Sequence, residues 1–83
     1  MKVYWPCAIR LRDDGTEESL FTYDSTLKWK LALETLKNWR GAYKFNLVRC
    51  WVDVYEGDKK VEVVHVDLEK NIRGEGGLTY ETL

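Results

Sequence analysis

Cysteine and histidine are scarce in this 83-residue chain, and their scarcity removes whole classes of chemistry. A zinc site takes about four nitrogen or sulfur ligands. Cys7, Cys50 and His65 are the whole supply, and no C-x-x-C pair occurs. The residues therefore predict no metal and no cofactor. Both cysteines read as buried free thiols in a reducing compartment rather than as a disulfide. Long apolar runs are also missing, and none approaches the ~20 residues of a membrane span. Met1 to Pro6 lacks the apolar core and small-residue cleavage site of a signal peptide. The expectation is a cytoplasmic protein that does not enter the membrane. A strong charge bias is absent too. The net charge is −1 and the pI about 5.8, whereas a nucleic-acid binder is usually basic.

Aromatic and β-branched residues are what the chain does have. Tyr43 to Leu68 reads as one long β-hairpin. Val48, Cys50, Val52 and Val54 alternate with Arg49, Trp51, Asp53 and Tyr55, the period-2 signature of a strand. Gly57-Asp58 fits a two-residue turn, with glycine supplying the positive φ. That turn sets Asp53 against Glu62, two like charges. A three-residue loop, Gly57 to Lys59, instead pairs Trp51 with His65 and Arg49 with Asp67. Side-chain pairing favours the longer loop, and a bulge reconciles it with the turn chemistry.

A first hairpin spans residues 2 to 23, turning at Asp13-Asp14-Gly15-Thr16. Val3, Trp5, Cys7, Ile9 and Leu11 share one parity, taken as the core phase. Pro6 cannot donate to a ladder, which places this strand at an edge or starts its regular part later. The acidic cluster from Asp13 to Glu18 lacks the ligand spacing of a calcium loop and reads as a solvated tip. Asp24-Ser25-Thr26 offers N-caps for a helix over Thr26 to Arg40, closed by Gly41. At 100° per residue Trp29, Ala32, Leu33, Leu36 and Trp39 share the core face. Leu27 and Leu31 fall nearly opposite.

These elements predict one α+β domain over residues 1–70, of order β-β-α-β-β: a four-stranded, mostly antiparallel sheet with one helix on one face. Strand order 2-1-3-4 keeps every neighbouring pair antiparallel. Residues 71–83 read as a flexible glycine-rich tail, with a short extra strand at Leu78 to Leu83 as the alternative.

One helix covers one side of a sheet, yet the long strand is apolar on both. If the valine face meets the helix, Trp51 and Tyr55 are left open, with Tyr43, Phe45 and Leu47 and with Val61 and Val63 from the partner strand. An open apolar face above a few hundred Å² usually marks a contact site. Covering ~300 Å² at ~25 cal/mol per Å² is worth several kcal/mol. The reading is a non-catalytic protein-interaction module that forms a homodimer or binds a protein partner through this face. Its candidate contact residues are Arg49, Trp51, Tyr55, Leu27 and Leu31. The competing structural reading is a twisted sheet whose tail covers its own second face. The functional alternative is a nucleic-acid-binding domain using the basic segment 25–49, where Lys28, Lys30, Lys37, Arg40, Lys44 and Arg49 face only Glu34. An enzyme is the least supported class: His65, with Asp53 and Asp67 near it, is the only cluster, and no motif sets a nucleophile beside it.

Overall fold

In the computed structural model, which describes all 83 residues, the chain is a single α+β domain. The elements run β1 (Lys2–Leu11), β2 (Glu17–Phe21), α1 (Trp29–Ala42), β3 (Leu47–Glu56), β4 (Lys59–Val66) and β5 (Leu78–Thr82). They form one antiparallel sheet of order β2-β1-β3-β4-β5, with α1 packed over β1 and β3. The expected order 2-1-3-4 holds, and the sheet has five strands rather than four. The fifth, Leu78–Thr82, is the short extra strand expected as the alternative to a flexible tail.

Pro6 sits in a central strand without cost because of where β2 ends. Tyr4 exchanges two backbone hydrogen bonds with Thr26, at 2.8 and 2.9 Å. The ladder to β2 then begins only at Cys7↔Phe21. Along a strand, alternate residues point their backbone groups to the same side. Pro6 is the next same-side position after Tyr4, so its missing N–H falls in the gap between Thr26 and Phe21. The pairing of Thr26 with Tyr4 also delays the helix. None of the three capping candidates is used as an N-cap, and α1 starts after an extended Lys28 with no side-chain cap. At its other end Gly41 lies inside the helix and the cap is Tyr43. The reversal into β3 is made by Lys44 and Phe45, both at positive φ (55° and 66°) without being glycine.

The β3–β4 hairpin uses both of the signals that conflicted in the sequence. Its turn is the two-residue Gly57-Asp58, with Glu56 opposite Lys59 and Gly57 at φ 62°. The expected three-residue loop is therefore not formed. A bulge at Val61, between the Tyr55↔Lys60 and Val54↔Glu62 pairs, shifts the register by one residue. From there Asp53 faces Val63 and Trp51 faces His65, so the like-charged Asp53–Glu62 pair never forms. The ladder stops at Trp51↔His65. Arg49 has no Asp67 opposite it, because Asp67 turns away and its N–H donates to Gly77 O at 2.8 Å.

The core lies between the helix and one side of the sheet. Ala8, Ala32, Leu33, Leu36, Cys50, Val52, Val66 and Leu68 form one buried cluster, with Tyr4, Trp29, Trp39 and Leu47 packed at its margin. This corrects the phase assigned to β1. The residues turned to the helix are Tyr4, Pro6 and Ala8, not Val3, Trp5, Cys7 and Ile9. Ala8 and Ala32 are both fully buried. Two side chains this small let the helix and β1 approach closely. Val48 departs from its expected face as well. A bulge between the Ile9↔Arg49 and Arg10↔Leu47 pairs leaves Val48 without a partner and 56% exposed, while Leu47 takes its place at the core.

The segment between β4 and β5 folds back under the helix. Leu68 is buried in the main cluster, and Asn71 donates from Nδ2 to Gly76 O at 2.8 Å. No helix is long and apolar enough to cross a membrane.

Candidate interaction face

The side of the sheet away from α1 carries the odd-numbered residues of β1 and β3, and no element lies over it. The register arranges them in rows across the strands. Val3, Tyr55 and Lys60 form the first row; Trp5, Asp53, Val63 and Glu81 form the second. Phe21, Cys7, Trp51, His65 and Thr79 form the third, and Ser19, Ile9 and Arg49 the fourth. Val63 is buried, Phe21 is 61% exposed, and the other large apolar members are half-buried. A cross-strand neighbourhood of this kind shields each side chain from the side but not from above.

The charged groups of this face are partly paired within it. Lys60 Nζ lies 3.5 Å from Asp53 Oδ1, close enough to pair as ions but without a formed hydrogen bond. His65 Nε2 lies 3.1 Å from Glu81 Oε1. Arg49 is the exception. Its guanidinium carbon stands 4.6 Å from the centre of the Trp51 ring, a cation–π contact, and no carboxylate pairs with it. Asp53 is held from within the chain: Oδ2 accepts from the Cys7 thiol at 3.7 Å, and the buried Oδ1 faces Lys60 without a hydrogen-bond donor. Between β1, β3 and the β2–α1 loop runs an open groove of about 540 Å³. Trp5, Phe21 and Tyr55 line it, with Asp53 below and Asp58 at the hairpin tip.

Of the five residues singled out from sequence, the structure brings three together. Arg49, Trp51 and Tyr55 share this face. Leu27 (62% exposed) and Leu31 (46% exposed) belong to the helix layer, behind the sheet. Tyr43 and Phe45, expected beside Trp51, precede β3, where they lie under Arg10 and Arg40 respectively. Sequence reasoning missed Val3, Trp5, Ile9 and Phe21 as members of the face. The available signal was Ala8, a small residue where a helix packs, among large neighbours of the opposite parity.

The thiols are poorly suited to nucleophilic chemistry. Burial, then the nearby Asp53 carboxylate, pushes Cys7 up to about 12, and burial raises Cys50 to about 11. His65 holds a glutamate and has Trp51 between it and Cys7 in the third row. No group of three or more His, Cys, Asp or Glu side chains is gathered as a metal site would need.

Comparisons with protein-family models, with curated proteins and with solved structures give no match for this chain.

Proposed function

We propose that this chain is a non-catalytic protein-interaction module and that the open face of its sheet is the contact surface, with Trp51 and Tyr55 as anchors. The observation that carries this is the two-sided strand β3: valines on the helix side, and Trp51 and Tyr55 on a side nothing covers. Aromatic residues flanked by aliphatic ones, with one arginine, are the composition of an interface centre. The carboxylates of Asp53 and Glu81 on the face support a protein partner over a polyanion. The nucleic-acid alternative retains two bases beside aromatics, Arg49 on Trp51 and Arg40 on the exposed Phe45, but Lys28, Lys30 and Lys37 lie on the helix side, with the sheet between them and Trp51.

The test is the association of the wild type, Trp51→Ala and Leu31→Ala, followed by light scattering over a concentration series with a melting curve for each. Under this reading Trp51→Ala weakens association by an order of magnitude or more and costs only about 1 kcal/mol of folding stability, as a half-buried truncation does. Leu31→Ala leaves association unchanged. A strictly monomeric chain in which Trp51→Ala costs 3 kcal/mol or more would mean that the face is core, and would end the proposal.

A further inference from the structure

We infer that the β5 edge of the sheet pairs with β5 of a second copy of this chain, antiparallel and across a two-fold axis at Tyr80, so that the two sheets run on as one. This edge is separate from the open face, and the inference does not rest on that reading. It rests on hydrogen-bond phase and on what each free edge of the sheet carries.

The sheet has two free edges, β2 and β5. The phase of β5 is fixed at both ends. Gly77 O accepts from Asp67 N at 2.8 Å, and Leu83 N donates to Val61 O at 3.1 Å. Alternate residues of a strand point their backbone groups to the same side, so the odd-numbered residues face β4. Leu78, Tyr80 and Thr82 point outward, and no group of the chain bonds their N–H or C=O. Natural edges are guarded by lysine, proline or a bulge. Leu78 to Leu83 contains no lysine, proline or glycine, and its ladder to β4 runs without a bulge. Its one charge, Glu81, lies on the open-face side, where His65 holds it at 3.1 Å.

Two free edges can be joined in three ways, and charge separates them. The bond from Arg12 N to Thr16 O fixes the phase of β2, so Glu17, Ser19 and Phe21 point outward. An antiparallel β2–β5 contact in full register sets Ser19 against Tyr80 and therefore Glu18 against Glu81, two like charges. It is also head-to-tail and does not close. A β2–β2 contact joins two acid-rich segments, since residues 13–24 carry five acids and no base. In a β5–β5 contact about Tyr80, every outward group is used. Tyr80 exchanges two bonds with Tyr80 of the partner subunit, Leu78 exchanges two with the partner's Thr82, and Thr82 two with the partner's Leu78. Thr79 lies opposite the partner's Glu81, so no like charges meet. The axis stands perpendicular to the sheet and puts both helices on one side. On that side α1 packs over β1 and β3 without reaching β5, and Tyr80 is 61% exposed. The axis sets this ring beside its copy as a cross-strand aromatic pair.

The test is sedimentation of the full chain over a concentration series, with amide hydrogen exchange on the same samples. The expected result is a dimer in which the amides of Leu78, Tyr80 and Thr82 gain protection as concentration rises, while those of Thr79 and Glu81 are protected throughout. Tyr80→Lys and Tyr80→Glu each change an exposed side chain and put like charges across the axis. Each is expected to weaken the dimer by about tenfold or more. Mixing the two variants is expected to restore a dimer, because the axis pairs position 80 with itself. Thr82→Pro, which removes an outward N–H and leaves Tyr80 in place, is expected to weaken the dimer as well. A wild type that is monomeric at every accessible concentration overturns the second copy as occupant and leaves the edge to a strand from another protein. A dimer whose Tyr80 amide stays unprotected overturns the edge contact; if Trp51→Ala abolishes that dimer, the open-face reading stands. A mixture no tighter than either variant alone overturns the axis at Tyr80.

Discussion

Leu36 and Leu31 lie five residues apart on α1, and truncating each to alanine separates packing from everything else a helix substitution changes. Leu36 is fully buried and Leu31 is 46% exposed. Both changes gain the same few tenths of a kcal/mol of helix propensity. At Leu36 three buried carbons are lost, worth about 2.4 kcal/mol of transfer free energy at ~0.8 each. The cavity left between Val52, Ala8 and the helix adds its own cost, which brings the total to about 3–4 kcal/mol. At Leu31 about half of that transfer area is already wet and no cavity forms, so after the propensity gain the cost is about 1 kcal/mol. A chain of this length has roughly 4–12 kcal/mol in total, so Leu36→Ala removes a large share of it. The assay is urea unfolding followed by tryptophan fluorescence, with the midpoint shifting and the slope unchanged. Equal costs at the two positions would refute the helix orientation and, with it, the assignment of the opposite sheet face as the uncovered one.

Gly77→Ala should destabilise by about 2 kcal/mol or more, because φ is +67° and an added Cβ would stand 2.6 Å from Asp67 O; thermal melts check it. Lys44→Gly should stabilise by about 0.5–1 kcal/mol, since an exposed lysine at φ 55° gives way to the residue that adopts this conformation freely; a lowered melting temperature would contradict it. The raised thiol of Cys50 makes the fold alkali-sensitive. The folded value of about 11 exceeds the unfolded value near 9, so this contribution is intact below pH 9 and is lost as pH rises toward 11. The expected loss is about 1 kcal/mol at pH 10, read as a steeper fall in stability above pH 9 than in Cys50→Ala.

Strand periodicity, the helix stripe and the strand order were legible because each depends on local pattern or on antiparallel geometry. The two faces of β3 could be separated by parity alone, which is why Arg49, Trp51 and Tyr55 could be assigned to one side of the sheet. What could not be read depended on backbone irregularity. The bulge at Val61 let the Gly57-Asp58 turn coexist with the Trp51↔His65 register, and the bulge at Val48 exchanged Leu47 for Val48 at the core. In β1 the signal was faint: the strand is apolar on either parity, and only a small Ala8 among larger neighbours marks the side on which the helix packs. Capping signals at Asp24 to Thr26 misplaced the helix start because Thr26 was already committed to Tyr4. β5 is five residues long and mostly exposed, so its stability comes from the β4 edge it covers rather than from its own sequence.

The same geometry shows why the chain leaves one side of its sheet bare. A 14-residue helix is about 21 Å long and about 10 Å across, against a sheet about 20 Å wide. It covers half of one face, and Leu68 and Asn71 from the segment before β5 bury part of the rest, while Tyr80 on that face stays 61% exposed. Nothing remains for the other side, and only 13 of 83 residues are buried in the single chain. If a second copy supplies the missing layer, unfolding is coupled to dissociation, and the melting temperature must rise with protein concentration. A hundredfold increase is worth about 1.4 kcal/mol per chain, or roughly 5–10 °C for a domain of this size. A melting temperature that stays constant over that range would mean that the helix face alone sustains the fold, and that Trp51 and Tyr55 remain in water when the protein is alone.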